Sequence, residues 1–158
     1  VATSISNVLL QRISESFREK KSVLDELFSI LRFVLIIALL EILVIRIWGV
    51  ELFSIIFGSE WKLSGEISRL LVWSFAFNFV VASFTSIFIS MKRIKLMSLW
   101  QLVYFLAIFS LVFFRNAGFE TFLRTYVLIE ISCYTIITIL MLIIVLRYES
   151  KLKRGLSS

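Results

Sequence analysis

The chain has 158 residues, 59% of them hydrophobic and only 18% charged, with a net charge of +6. Soluble domains run nearer ~45–50% apolar residues, so water cannot be the solvent for this much apolar surface at this length. There is no His and one Cys, Cys133. A disulfide framework within the chain and the usual soft-metal sites are therefore excluded, and no cofactor is expected.

The opening residues, VATSISNVLLQRISE, read as the end of a small-residue-rich helix. They have neither an initial Met nor the features of a signal peptide, so the chain is expected to be a piece of a longer protein or the product of a truncated gene. From Ser14 to Phe28 charged residues alternate with Phe17, Val23, Leu24, Leu27 and Phe28, and Ile13 extends the set. On a helix these apolar residues form a stripe. The segment reads either as an amphipathic helix on the membrane surface or as a solvated linker.

Four apolar stretches follow, at 27–48, 67–91, 96–114 and 126–146. Each is about 20 residues long, the length a helix needs to cross a hydrocarbon slab of ~30 Å. The predicted fold is all-α: a polytopic membrane bundle of four full spans after the end of an earlier helix, in one domain over 1–158. The piece VELFSIIFGSEW at 50–61 is too short to span. It reads as a helical extension ending at Gly58, with Ser64 and Glu66 starting the next helix.

Basic residues follow an alternating pattern. The first gap holds Arg12, Arg18, Lys20 and Lys21, the MKRIK gap holds Lys92, Arg93 and Lys95, and the tail holds Arg147, Lys151, Lys153 and Arg154. The other two gaps hold only Lys62, Arg69, Arg115 and Arg124. Positive charge resists translocation, so the first set is expected inside and the C-terminus is expected to be cytoplasmic. The same reading removes any need for a nucleic-acid partner to explain the charge. Trp48, Trp61, Phe122 and Tyr126 sit at the outer span ends, where aromatic rings anchor at the headgroups.

Several polar residues interrupt the spans. Glu41 lies near the middle of the first, at a cost of ~2.5–3.5 kcal/mol that the surrounding Leu, Ile, Val and Phe offset. Such an acid does not face lipid. Arg46, five residues on, points elsewhere around the helix. Arg69, at the start of the second span, is the expected partner of Glu41. Asn78 in the second span and Gln101 in the third are candidates for bonding between helices or for lining a cavity. Glu130 lies one turn into the last span and reads as a hydrated interfacial acid.

Two pieces carry a family likeness: Val8-Leu9-Leu10-Gln11-Arg12-Ile13-Ser14-Glu15, and Ile56-Phe57-Gly58-Ser59-Glu60-Trp61 with Ser64-Gly65 downstream. In their order and spacing, across nearly the whole chain, they resemble the C-terminal part of bacterial polysaccharide (O-antigen type) flippases. These belong to the multidrug and oligosaccharidyl-lipid exporter superfamily. Gln11 stands where family members often carry Pro, which leaves that helix end straighter. The resemblance implies a two-lobed transporter of about 12 to 14 helices in the inner (cytoplasmic) membrane of a bacterium. It makes a lipid-linked glycan the substrate. It makes a missing N-terminal lobe, together with membrane lipids, the other partners. Glu41, Arg46, Arg69, Asn78 and Gln101 are the residues on this piece that could face the cavity. Two alternatives stand beside it: a multidrug or cation antiporter of the same superfamily, and a small membrane structural or assembly protein. No nucleophile with a base and no Gly-rich phosphate loop is present, so an enzyme is not expected.

Overall fold

The computed structural model describes residues 2–19, 21–116 and 118–156. Helix α1 covers Ala2–Arg18, α2 Leu24–Phe57, α3 Lys62–Phe84, α4 Ser86–Ser90, α5 Ile94–Phe109 and α6 Phe119–Leu156, with 3-10 turns at Ser59–Trp61 and Ser110–Phe114. No strand occurs among the described residues. Four segments are long and apolar enough to cross a membrane: Leu27–Phe57, Ser59–Ser90, Ile94–Phe114 and Phe119–Gly155. The chain is a helical membrane bundle, in which each span satisfies its own backbone hydrogen bonds.

The helices run longer than the apolar stretches. Val50–Phe57 is helical as expected and forms the last turns of α2, which stops where Gly58 takes φ 103° and ψ 167°. That backbone region is open almost only to glycine. The next helix begins at Lys62, with no side-chain cap, and Ser64 lies inside it rather than capping it. The Trp61 N–H instead donates to the Gly58 carbonyl at 3.1 Å.

Helices α2 and α3 form the closest pair. Gly65 seats against Gly49 and Val50, and a Cβ placed on Gly65 would lie 2.5 Å from the Val50 Cα. Small residues that let two backbones touch are a common glue where lipid removes the hydrophobic drive between helices. Further along, Ser83 donates back to the Phe79 carbonyl and Thr85 to that of Ala82. Such back-bonding bends helices, and the α3–α4 break falls here. The α4 end closes with Lys92 at φ 55°. The Arg93 N–H reaches the Phe88 carbonyl at 2.6 Å and the Lys92 N–H that of Ile89 at 3.0 Å. This is a left-handed helix cap built without glycine.

The charged segment from Ser14 to Phe28 does not form one helix: α1 ends at Arg18 and α2 begins at Leu24. Part of its apolar stripe packs inward, while Phe28 is 59% exposed. Ile13, Val23 and Leu27 are buried in the core with Leu9, Phe88, Ile137 and Val145. The far end of α6 holds the α1–α2 turn. Glu149 accepts hydrogen bonds from the Val23 N–H at 2.8 Å and the Ser22 hydroxyl at 3.1 Å. The Tyr148 hydroxyl donates to the Lys21 carbonyl at 3.0 Å, and its ring meets Phe17 at 5.0 Å. Helix α5 is the opposite case. No residue in it is buried, and Leu99, Leu102, Val103, Phe105, Leu106 and Phe109 are exposed. An all-round apolar helix of this kind suits lipid.

Candidate functional site

The polar groups that matter converge on α6. Tyr126, Glu130 and Tyr134 recur every four residues, so they share one face of the helix. Trp100 and Tyr104 do the same on α5. The two faces meet. The Tyr104 hydroxyl donates to Glu130 Oε1 at 2.7 Å, and the Tyr134 hydroxyl donates to the same oxygen at 3.3 Å. Asn78 of α3 donates through Nδ2 to the Tyr134 oxygen at 2.5 Å. Rings stack behind these bonds, Trp100 on Tyr104 at 5.5 Å and Tyr104 on Tyr134 at 5.9 Å between centroids. Trp100 Nε1 donates to the Cys133 carbonyl at 3.4 Å. The two tyrosine hydroxyls donate to the Glu130 carboxyl, and Asn78 joins through Tyr134, so the network links three helices.

Its depth follows from α5. Tyr104 is the central residue of the 21-residue span Ile94–Phe114, about 15 Å from either end at ~1.5 Å per residue. Glu130, bonded to it, is level with the centre of that helical segment, with 4% of its surface exposed. The expectation of a hydrated acid is corrected: Glu130 is buried against α5, where the Tyr104 hydroxyl donates to it. The α6 helix begins at Phe119, before the apolar stretch, so Glu130 lies eleven residues into the helix. Buried polar groups at this depth are costly and persist when paired or when they serve a pathway.

Beside the network lies a groove of about 240 Å³ between α3, α5 and α6, lined by Asn78, Thr85, Trp100, Gln101, Tyr104 and Tyr134 with Val81 and Ala82. Two of the sequence candidates, Asn78 and Gln101, thus meet there. The other three do not. Arg69 does not pair with Glu41. Its Nη2 reaches the Ile47 carbonyl at 2.9 Å and Glu51 Oε2 at 3.4 Å. The reason is helix register: Gly65 opposite Gly49 and Val50 puts Arg69 level with residues near Ile45. Its long side chain then extends toward the α2–α3 turn, while Glu41 lies about a turn deeper. Glu41 follows Ala38 by three residues and Val34 by seven, so it faces α3, half-buried, with no hydrogen bond or ion pair among the described residues. Arg46 is exposed.

Several hydroxyls elsewhere in the spans close on their own helix, while those of the buried Ser74 and Ser86 have no partner among the described residues. Ser132 donates to the Leu128 carbonyl, Thr135 to that of Ile131 and Thr138 to that of Tyr134. These three need no further partner and mark no site. Among the described residues no cluster of His, Cys, Asp and Glu could hold a metal ion.

Compared with protein-family models, with curated proteins and with solved structures, the chain matches none of them.

Proposed function

We propose that the chain is the C-terminal helical portion of a bacterial transporter that moves lipid-linked oligosaccharide precursors across the cytoplasmic membrane. One observation carries the reading: an interhelical hydrogen-bond network of Asn78, Tyr104, Glu130 and Tyr134 adjoins a groove with polar and aromatic walls. A membrane protein with a purely structural role has no need to hold an acid there. The transport task is to shield a hydroxylated head group from hydrocarbon while its lipid tail remains in the bilayer. Amides and hydroxyls that exchange hydrogen bonds with a passing sugar suit that task. Arg46 and Arg69, together with residues of a preceding lobe, would supply cationic contacts for the phosphate.

The test is reconstitution of this portion together with its preceding lobe into vesicles with a fluorescent lipid-linked oligosaccharide. Transfer of the probe to the opposite leaflet, above the rate in empty vesicles, is the expected result. A rate equal to that of empty vesicles defeats the reading. A second reading, a cation antiporter, draws on Glu130 as a buried carboxyl that an ion could occupy. It calls for ion exchange in the same vesicles with no glycan probe present.

A further inference from the structure

We infer that the groove between α3, α5 and α6 binds one neutral sugar ring of the lipid-linked substrate. This inference rests on the transport reading above and assigns to the groove the uncharged part of that substrate. Three properties of the groove select this ligand class.

The first is size. At about 240 Å³ the groove falls below the ~300–1,000 Å³ of pockets that take drug-sized ligands. It holds one ring rather than an oligosaccharide.

The second is charge. No Lys or Arg lines it, so a phosphate finds no counter-charge there. The nearest carboxyl, Glu130, has its Oε1 occupied by the Tyr104 and Tyr134 hydroxyls, which disfavours a cation as well.

The third is the kind of polar group that remains. Asn78 spends Nδ2 on Tyr134, which leaves its carbonyl oxygen to accept. Gln101 is exposed on the groove, with no bond to another described residue, and can both donate and accept. Thr85 is closed onto the Ala82 carbonyl. The walls beside these amides are the aromatic rings of Trp100, Tyr104 and Tyr134. A sugar ring presents hydroxyls around its edge, which both donate and accept, and C–H groups on its faces, which pack on aromatic rings. An acyl chain gains nothing from the two amides, and leaving them against hydrocarbon is unfavourable.

The experiment uses the full chain in lipid nanodiscs, with Trp48→Phe, Trp61→Phe and Trp73→Phe leaving Trp100 as the sole indole. Its fluorescence is titrated with a polyprenyl phosphate carrying one hexose, and separately with the same polyprenyl phosphate lacking sugar. The hexose lipid is expected to bind roughly tenfold more tightly, the equivalent of one or two net hydrogen bonds. Gln101→Leu should abolish the difference without lowering the melting temperature, since Gln101 is exposed and makes no hydrogen bond to another described residue. Equal binding of the two lipids assigns the groove to an acyl chain and overturns the inference. Unchanged selectivity in Gln101→Leu overturns it too. Flipping measured in parallel, with the preceding lobe present, keeps the two claims apart. Glycan flipping that proceeds without hexose selectivity at Trp100 sinks the sugar site and leaves the transport reading standing. Hexose selectivity without flipping upholds the site and sinks transport.

Discussion

At the scale of single residues, Glu130 is the most demanding group in the bundle, because Oε1 accepts from two hydroxyls at once. Glu130→Gln keeps an acceptor oxygen in place and should cost little. Glu130→Leu strands the Tyr104 and Tyr134 hydroxyls, at ~1–3 kcal/mol for each buried unsatisfied donor. Thermal unfolding in detergent should therefore show a small shift for the first variant and a large one for the second. Adding Tyr104→Phe to Glu130→Leu should recover part of the loss. If Gln and Leu destabilise alike, the hydrogen bonds are not what holds this site. The sequence held a signal for the site that a span-by-span reading passes over: Tyr126, Glu130 and Tyr134 at four-residue spacing, with Trp100 and Tyr104 repeating it. Hydropathy located the spans because it depends on neighbours along the chain. The Glu41–Arg69 pairing depended instead on the register of α2 against α3, set by a contact of Gly65 with Gly49 and Val50 that no charge pattern encodes. Gln101 and Asn78 could be named as polar residues out of place, but not as two walls of one groove.

At the scale of elements, two contacts decide how the helices are held. Where α2 meets α3, Gly65 leaves no room for a Cβ. Gly65→Val forces the helices apart and should destabilise by about 1–3 kcal/mol, while Gly155→Ala, where an added Cβ meets open space, should not destabilise by the same melting measurement. At the other end, Glu149 sits buried against the start of α2 and takes up the Val23 N–H. Helix N-termini leave such donors unpaired, and losing a capping acceptor costs ~0.5–2 kcal/mol. Glu149→Ala should loosen the α1–α2 turn, and trypsin should then cut after Arg18 or Lys21 several times faster than in the parent. Unchanged cleavage would show that Tyr148 and Phe17 suffice to hold the turn. The Glu19–Lys21 ion pair at 2.6 Å in the same turn is a lesser contributor, being fully exposed. The Lys21 ammonium, by hydrogen bond and charge, holds the Glu19 carboxyl below its usual range, and Glu19 raises Lys21 in return. The pair therefore contributes near neutral pH. It fades as pH falls through the lowered Glu19 value and as pH rises through the raised Lys21 value.

At the scale of the whole molecule, the two ends of the bundle differ in charge, and that difference predicts how it sits. Lys92, Arg93 and Lys95 cap the junction of α4 and α5, while Arg147, Lys151, Lys153 and Arg154 line the last turns of α6 at the same end, where Glu149 ties them to the α1–α2 turn with Arg18 and Lys21. The opposite end carries Gly58, the α2–α3 turn and the Arg124–Glu120 pair, in which the charges largely cancel. Moving the first end across a bilayer would carry far more uncompensated positive charge than moving the second. The basic end should therefore remain cytoplasmic, with the Gly58 turn outside. Cys133→Ser gives a cysteine-free background, and that substitution is small because the thiol is buried among apolar atoms. In that background Ser59→Cys should react with a membrane-impermeant maleimide applied to intact cells. Lys95→Cys should react only after the cells are opened. The reverse pattern would invert the bundle. Labelling of both sites from outside would mean that the segment between them, Ser59–Ser90, does not cross at all.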